Sequence, residues 1–427
     1  MLKKLRLERF KNFKEAELIL GPLTLLVGTN ASGKSNIRDA FRFLHGISRN
    51  YSFAEIFGEK WIEGGVLQWR GIRGGTREAT FQGAKSFAID ASFSVKEGTD
   101  DPKAIYQIEV DLGTNSQAPS LISERLTIAG QEDNFFEAES VSSQGQRNLI
   151  VKVLNRPITN SPTPFTPNRP IVSQLAELAT DISIEEKAFV PGSSIRGFAK
   201  ATLQAFSSMR FLDLNPDAMR LPSLPGQTIL GDRGENLSSV LQKICENPES
   251  KQALLQWVQE LTPMDAMDFE FPADFTGKIL LTLIEENGQK TSAISASDGT
   301  LRFLAMIAAL LGPEPARFYF FEELDNGIHP TRLHLLLQLI ERKVSQGTIQ
   351  VVATTHSPQL LRLLSSQSLE YASLTYRLGD RLDAQIKRIV DIPEARRVIH
   401  EQDLARLHES GWLEDAMEFL EEEDTIA

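Results

Sequence analysis

Gly28-Thr29-Asn30-Ala31-Ser32-Gly33-Lys34-Ser35 fits the pattern GxxxxGK[ST], and its surroundings decide how it is read. Leu23-Thr24-Leu25-Leu26-Val27 before it is a short apolar run bounded by Gly21-Pro22 and Gly28, which predicts a buried parallel strand. Ser35 to Leu44 after it places Ile37, Ala40, Phe41 and Leu44 at helical spacing. Strand, glycine loop and helix in this order is the context that a phosphate-binding loop requires. Two glycines let backbone N–H groups wrap an anion at a helix N-terminus. Lys34 adds a point charge for the β- and γ-phosphates, and the Ser35 hydroxyl is a ligand for Mg²⁺. A glycine-rich turn without a ligand is the plain alternative, and the flanking strand and helix argue against it.

A second acidic site lies far along the chain. Arg317-Phe318-Tyr319-Phe320-Phe321-Glu322-Glu323 is an apolar strand ending in paired carboxylates, a Walker B pattern. Alternation at a strand end sends the two side chains opposite ways, so Glu322 is expected to hold Mg²⁺ and Glu323 to polarise the attacking water. Alone, a Glu-Glu pair is more often a solvated edge; behind a fully apolar strand, in a chain with a phosphate loop, it is read as catalytic. Ile349 to Ala353 leads into Thr354-Thr355-His356-Ser357, and His356 is expected to sense the γ-phosphate. Ser297-Asp298-Gly299-Thr300 precedes an apolar helix from Leu301, so its backbone donors and helix dipole can face an anion; by itself it is simply a good helix N-cap.

Outward from these motifs, the chain divides into five stretches. Residues 1–65 open on a β-hairpin and carry the phosphate loop, and 66–155 alternate as an antiparallel β subdomain. Residues 156–275 start in a run with five prolines (157, 162, 164, 167 and 170) and continue as a mainly helical lobe. Residues 276–365 return to α/β, and 366–427 form a C-terminal tail region ending in Glu421-Glu422-Glu423-Asp424. The fold class is therefore α/β with a discontinuous nucleotide-binding lobe.

Composition narrows the function. Across 427 residues, 45 Lys and Arg stand against 57 Asp and Glu, a net charge of −12 that excludes a generally polyanion-binding surface. Local basic clusters remain at Lys3 to Lys14, where six basic residues face only Glu8, and at Arg70, Arg73 and Arg77. One cysteine, Cys245, excludes an intrachain disulfide scaffold. No apolar run approaches a bilayer span, so a soluble cytoplasmic protein is expected.

Together the motifs resemble the ATPases of the ABC superfamily, and within it the SMC/RecF/OLD-like group of AAA-type ATP-binding proteins found in DNA repair and phage defence. Phe10-Lys11-Asn12-Phe13 resembles the group's opening strand turn, Gly28 to Asn36 its Walker A, and Ser297 to Thr300 a shortened signature. Glu322-Glu323 matches Walker B, Asn326-Gly327-Ile328-His329-Pro330 the D-loop, and Thr355-His356-Ser357 the switch histidine. The resemblance implies an ABC-type P-loop ATPase head with an antiparallel β subdomain and an inserted helical lobe. It implies contacts to ATP from Asn12, Gly28, Asn30, Ala31, Ser32, Gly33, Lys34, Ser35 and Asn36. It also implies a homodimer closed over ATP, in which Ser297 and Gly299 of one copy complete the site on Lys34 of the other.

Glu322 stands where Asp is commoner and Leu324 where many relatives have proline, which points to slow hydrolysis. Gln68 and Gln82 are both candidates for the glutamine that links Mg²⁺ to the β subdomain. No heptads fill the 261 residues between Ser35 and Ser297, so SMC-type arms are absent. With 70 residues after Ser357 and no Asp-x-Asp pair in them, a built-in OLD-type nuclease is not expected. Two readings stand: an ATPase subunit of a repair or antiphage complex that controls a separate effector, nuclease or toxin, with DNA bound weakly; or a slow, nucleotide-dependent scaffold acting through a protein partner.

Overall fold

The computed structural model describes residues 1–62, 66–95, 103–113, 117–130, 133–143, 146–158, 164–178, 195–261, 266–356, 359–379 and 381–392. The chain forms two compact units, each assembled from separated segments: residues 1–21, 29–208 and 375–388 in the first, and 22–28, 209–374 and the stretch after 388 in the second.

The first unit is built on an eight-stranded antiparallel sheet. Its strands run in the order 156–157, 146–153, 136–143, 120–128, 103–111, 86–94, 2–10, 13–19. The opening hairpin is thus an integral part of this sheet, with Leu7 opposite Ile89 and Ala16. Strict alternation explains the pairing: Phe87, Ile89, Ala91 and Phe93 are buried, and the residues between them face the other way. The strand Phe136–Ser143 escaped the sequence reading because its outward positions are Glu137, Glu139 and Val141, and only Phe136 and Ala138 mark its buried face. Pro157 sits in the short edge strand Arg156–Pro157, where a missing N–H costs nothing. Pro162 lies outside the described residues.

The helix Lys34–Ser48 starts on the phosphate loop and docks through Phe43, whose ring meets Phe87 edge-on at 5.3 Å and Phe57 at 5.9 Å. Gly46 allows close contact with the helix Phe53–Phe57, since a Cβ there would lie 2.8 Å from Ile56. Helix Ile195–Ser207 covers the sheet, with Phe206 against Phe93 and Tyr106.

The second unit carries parallel strands in the order 209–212, 318–321, 350–355 and 23–27, with Ser373 and Leu374 paired beyond 23–27. Every residue of Leu23–Val27, Phe318–Phe321 and Gln350–Thr355 is buried, as in parallel strands covered on both faces. Strand Met209–Leu212 falls within the stretch read as helical and pairs beside Phe318–Phe321, because Met209, Phe211 and Leu212 are buried there. A three-stranded sheet, 266–270, 282–285 and 290–292, completes this unit with helices 237–245, 248–261, 298–311 and 330–345. Burial pushes the pKa of the half-buried Cys245 thiol up to about 11. Among the described residues no helix is long and apolar enough to cross a membrane.

Within the first unit, Glu124 is a buried carboxylate on the inner face of the sheet. It accepts from Tyr106 OH at 2.9 Å and from the backbone N–H groups of Val172 and Ile171 at 2.8 and 2.5 Å, tying helix Ile171–Ala176 to the sheet. Burial pushes its pKa up to about 7 against the pull of these donors. The folded chain therefore binds a proton that the unfolded chain, at the ordinary value of 4.5, has released. This contribution to stability is complete below the unfolded value, shrinks as pH rises, and is gone above the folded one. The wild type is expected to lose melting temperature between pH 5 and 7, and Glu124→Gln to flatten that fall; melts across that range check it, and an unchanged slope assigns any dependence elsewhere.

Candidate nucleotide site

The loop after strand Leu23–Val27 is shaped by two left-handed residues, Ala31 (φ 65) and Gly33 (φ 111). Gly33 is required twice over: its φ suits glycine, and a Cβ would lie 2.7 Å from Phe13 Cζ and 2.9 Å from the Asn12 amide. The helix that Gly33 opens has no side-chain cap and no acid in its first turn, which leaves its N-terminal donors suited to an anion. The Ser32 hydroxyl is buried without a hydrogen-bond partner. Lys34 is buried and its Nζ donates to the Thr29 carbonyl at 2.7 Å. An uncapped helix end, an orphaned hydroxyl and a lysine folded over its own loop are what a phosphate-binding segment presents. Ser35, half-buried at the start of this helix, is a hard oxygen donor of the kind Mg²⁺ takes.

Asn12 is held beside this loop. Its Oδ1 accepts from Asn36 Nδ2 at 2.7 Å, while Asn36 Oδ1 accepts from Arg73 at 3.2 Å. Arg73 also donates to Asp39 at 3.1 Å, and Lys11 lies 3.8 Å from the same buried carboxylate. Burial drives the Lys11 pKa down, and Asp39 opposes that shift. The Arg- and Gly-rich stretch 70–75 is therefore anchored to the phosphate-loop helix, and Asp39, three residues after Asn36, is the residue that the sequence reading missed. Gln68 lies in the strand Val66–Trp69 and Gln82 has a left-handed backbone at φ 48; both are exposed.

The basic cluster at the start of the chain is corrected by its neighbours. Local sequence shows only Glu8, but strand pairing brings Glu17 to Lys4 (2.5 Å), Glu15 to Arg6 (2.8 Å) and Glu109 to Arg9 (2.9 Å). With Asp39 facing Lys11, four of the six basic residues are in ion pairs.

In the second unit, the acidic strand and the histidine meet. Phe321 is opposite Ala353, and the backbone N–H of Glu322 donates to Leu212 O at 2.9 Å. The chain then turns at Glu323, which adopts φ 49, a left-handed conformation that a glutamate holds only under restraint. The restraint is Thr354, whose Oγ1 accepts the Glu323 N–H at 3.0 Å and whose carbonyl accepts the Leu324 N–H at 3.0 Å. Both glutamates lie beyond the strand Phe318–Phe321, and this turn sets the Glu323 backbone. Glu323 Oε2 accepts from Asn326 Nδ2 at 2.8 Å, and Oε1 lies 3.8 Å from His356 Nε2. His356 Nδ1 is 3.0 Å from the Gly28 carbonyl, which makes Nδ1 the protonated nitrogen and aims Nε2 at Glu323. Thr355 Oγ1 donates to Asp325 at 2.7 Å. Ser357 lies outside the described residues.

Ser297 caps the helix Asp298–Leu311, its Oγ accepting from Thr300 N–H at 3.2 Å, and its side chain is exposed. Gly299 packs on the turn after Glu323: a Cβ there would lie 2.1 Å from the Gly327 carbonyl.

Residues 23–362 match the protein family described as "AAA domain, putative AbiEii toxin, Type IV TA system". The chain belongs to this AAA-domain family. That membership bears out the resemblance read from the motifs and makes the chain an ATPase-family protein. A curated relative, an "ATP/GTP phosphatase" of Helicobacter pylori, is 22% identical over 85% of this chain and 87% of its own. Solved structures with a similar backbone include an SMC head bound to the C-winged helix domain of ScpA (TM-score 0.47, 13% identity, 90% of this chain and 97% of that one). The SMC head domain from Thermotoga maritima is another (TM-score 0.42, 12% identity, 91% and 98%).

Gly33→Ala forces a β-carbon into the Asn12 and Phe13 contacts at a backbone conformation that costs about 1–3 kcal/mol for most residues. Loss of nucleotide binding in calorimetry, with the circular dichroism spectrum unchanged, is the expected result; full retention of binding would show that the loop tolerates a different shape.

Proposed function

We propose that this protein is an ATP-hydrolysing switch, working as an ATP-closed homodimer that governs a separately encoded effector, a nuclease or toxin, in DNA repair or antiphage defence. The observation that carries the hydrolytic reading is Glu323, held in a left-handed conformation by Thr354, with its carboxylate between Asn326 and His356. Strain of this kind is retained where a side chain must point to one place. The family and the phosphatase relative support nucleotide hydrolysis.

In this reading the backbone N–H groups of 30–35 and Lys34 hold the β- and γ-phosphates, with Asn12 and Asn36 fixing the loop. Ser35 and Glu322 would hold Mg²⁺, which would supply positive charge to the phosphate oxygens. Glu323 takes a proton from water as its oxygen attacks the γ-phosphorus, ADP leaves, and His356 orients the γ-phosphate from the end of its strand. Ser297 and Gly299 of one copy complete the site on Lys34 of the other. Because most of the basic residues at the start of the chain are paired, DNA is bound weakly and only by the ATP-closed dimer, with steep dependence on salt.

Glu323→Gln is expected to retain ATP binding, slow phosphate release by about 100 to 10,000 fold and trap the dimer; Lys34→Ala loses nucleotide binding. Equal turnover of Glu323→Gln and wild type would remove Glu323 as the base and favour a scaffold. Titrating the trapped variant with labelled duplex at two salt concentrations tests the DNA reading, which tight, salt-independent binding without ATP overturns.

A signature working across the dimer makes a separate demand. Lys34→Ala mixed with Ser297→Arg should regain one working site per mixed dimer; no recovery in demonstrated mixed dimers rules against the shared site.

A further inference from the structure

The signature segment contains an acid where an anion is expected to arrive. Asp298 is the first residue of the helix Asp298–Leu311, between Ser297 and Gly299, and its side chain is 63% exposed. A first-turn carboxylate favours the helix through the dipole, but it repels a phosphate approaching the same end. Arg220 answers this charge. Its Nη2 donates to Asp298 Oδ1 at 2.5 Å and to the Ala296 carbonyl at 3.1 Å, and its Nη1 to Asp217 at 3.1 Å. The Ala296 bond keeps the guanidinium at the helix start independently of Asp298. The Asp298 hydrogen bond raises the Arg220 pKa further, so the group is a permanent cation.

We propose that Arg220 is a positioning residue of the signature: paired with Asp298, it supplies the positive charge that lets the γ-phosphate of ATP held by a second copy of this chain seat on Ser297 and Gly299. The inference rests on the shared-site reading above and adds to it a residue 77 positions before the signature, with no motif of its own. A purely structural pair would act differently. Changing either partner would then lower thermal stability and leave the ATP requirement for dimerisation unmoved.

The test uses the full-length chain in the Glu323→Gln background, reading ATP-driven dimerisation by light scattering. Arg220→Ala should raise the ATP concentration for half-maximal dimer by about tenfold or more, because it leaves Asp298 uncompensated. ADP affinity of the monomer should stay within about twofold. Adding Asp298→Asn should bring the ATP requirement back to within about threefold of the parent, and Asp298→Asn alone should lower it. A double variant no better than Arg220→Ala, or an Arg220→Ala protein that dimerises like its parent, overturns the assignment while the shared site stands. If the parent itself forms no dimer at saturating ATP, the shared site falls and the role of Arg220 falls with it.

Discussion

The parallel pairing of strand Gln350–Thr355 with Leu23–Val27 on one side and Phe318–Phe321 on the other is the constraint on which the chemistry depends. Thr355 is level with Val27, and Phe321 with Ala353 two residues before it, so Gly28, Glu322 and His356 all leave at the carboxyl end of the sheet. Carboxyl ends of buried parallel strands are where a loop can turn sharply without breaking a ladder. Here the consequence is a histidine hydrogen-bonded to the residue that opens the phosphate loop and facing the glutamate that follows the acidic strand. A slip of one residue would turn every one of these side chains to the other face.

The turn after the acidic strand joins two motifs that are 24 residues apart. Thr354 holds the Glu323 backbone, Asn326 holds its carboxylate, and Gly327 lies against Gly299 with no room for a side chain between them. The signature helix and the proposed base are therefore mechanically adjacent in one unit. Gly299 is linked to Glu323 by its backbone contact with Gly327 and by the amide hydrogen bond from Asn326.

Electrostatically the protein is acidic, and its apparent basic segments are spent locally. Lys4, Arg6 and Arg9 meet acids from neighbouring strands, and Lys11 and Arg73 converge on Asp39. Cross-strand pairs of this kind hold register at little net gain in stability. What they remove is an open cationic surface at the start of the chain.

The phosphate loop, the buried strands and the approximate helix from Ser35 were legible because each is local: a motif of fixed spacing, an unbroken apolar run, a 3.6-residue period. Strand Leu23–Val27 and the acidic strand needed nothing beyond their own residues. Strand Phe136–Ser143 was not legible, since two apolar positions among acids do not announce a buried face until neighbours supply it. Nor could the sequence tell that Glu17, Glu15 and Glu109 would neutralise the opening cations, because pairing across strands depends on register. The left-handed Glu323 and its support from Thr354, 31 residues later, arise from two strands ending side by side. Local spacing and composition determined which chemistry the chain carries; tertiary structure alone decided which side chains hold it in place, because those contacts form only after the sheets have assembled.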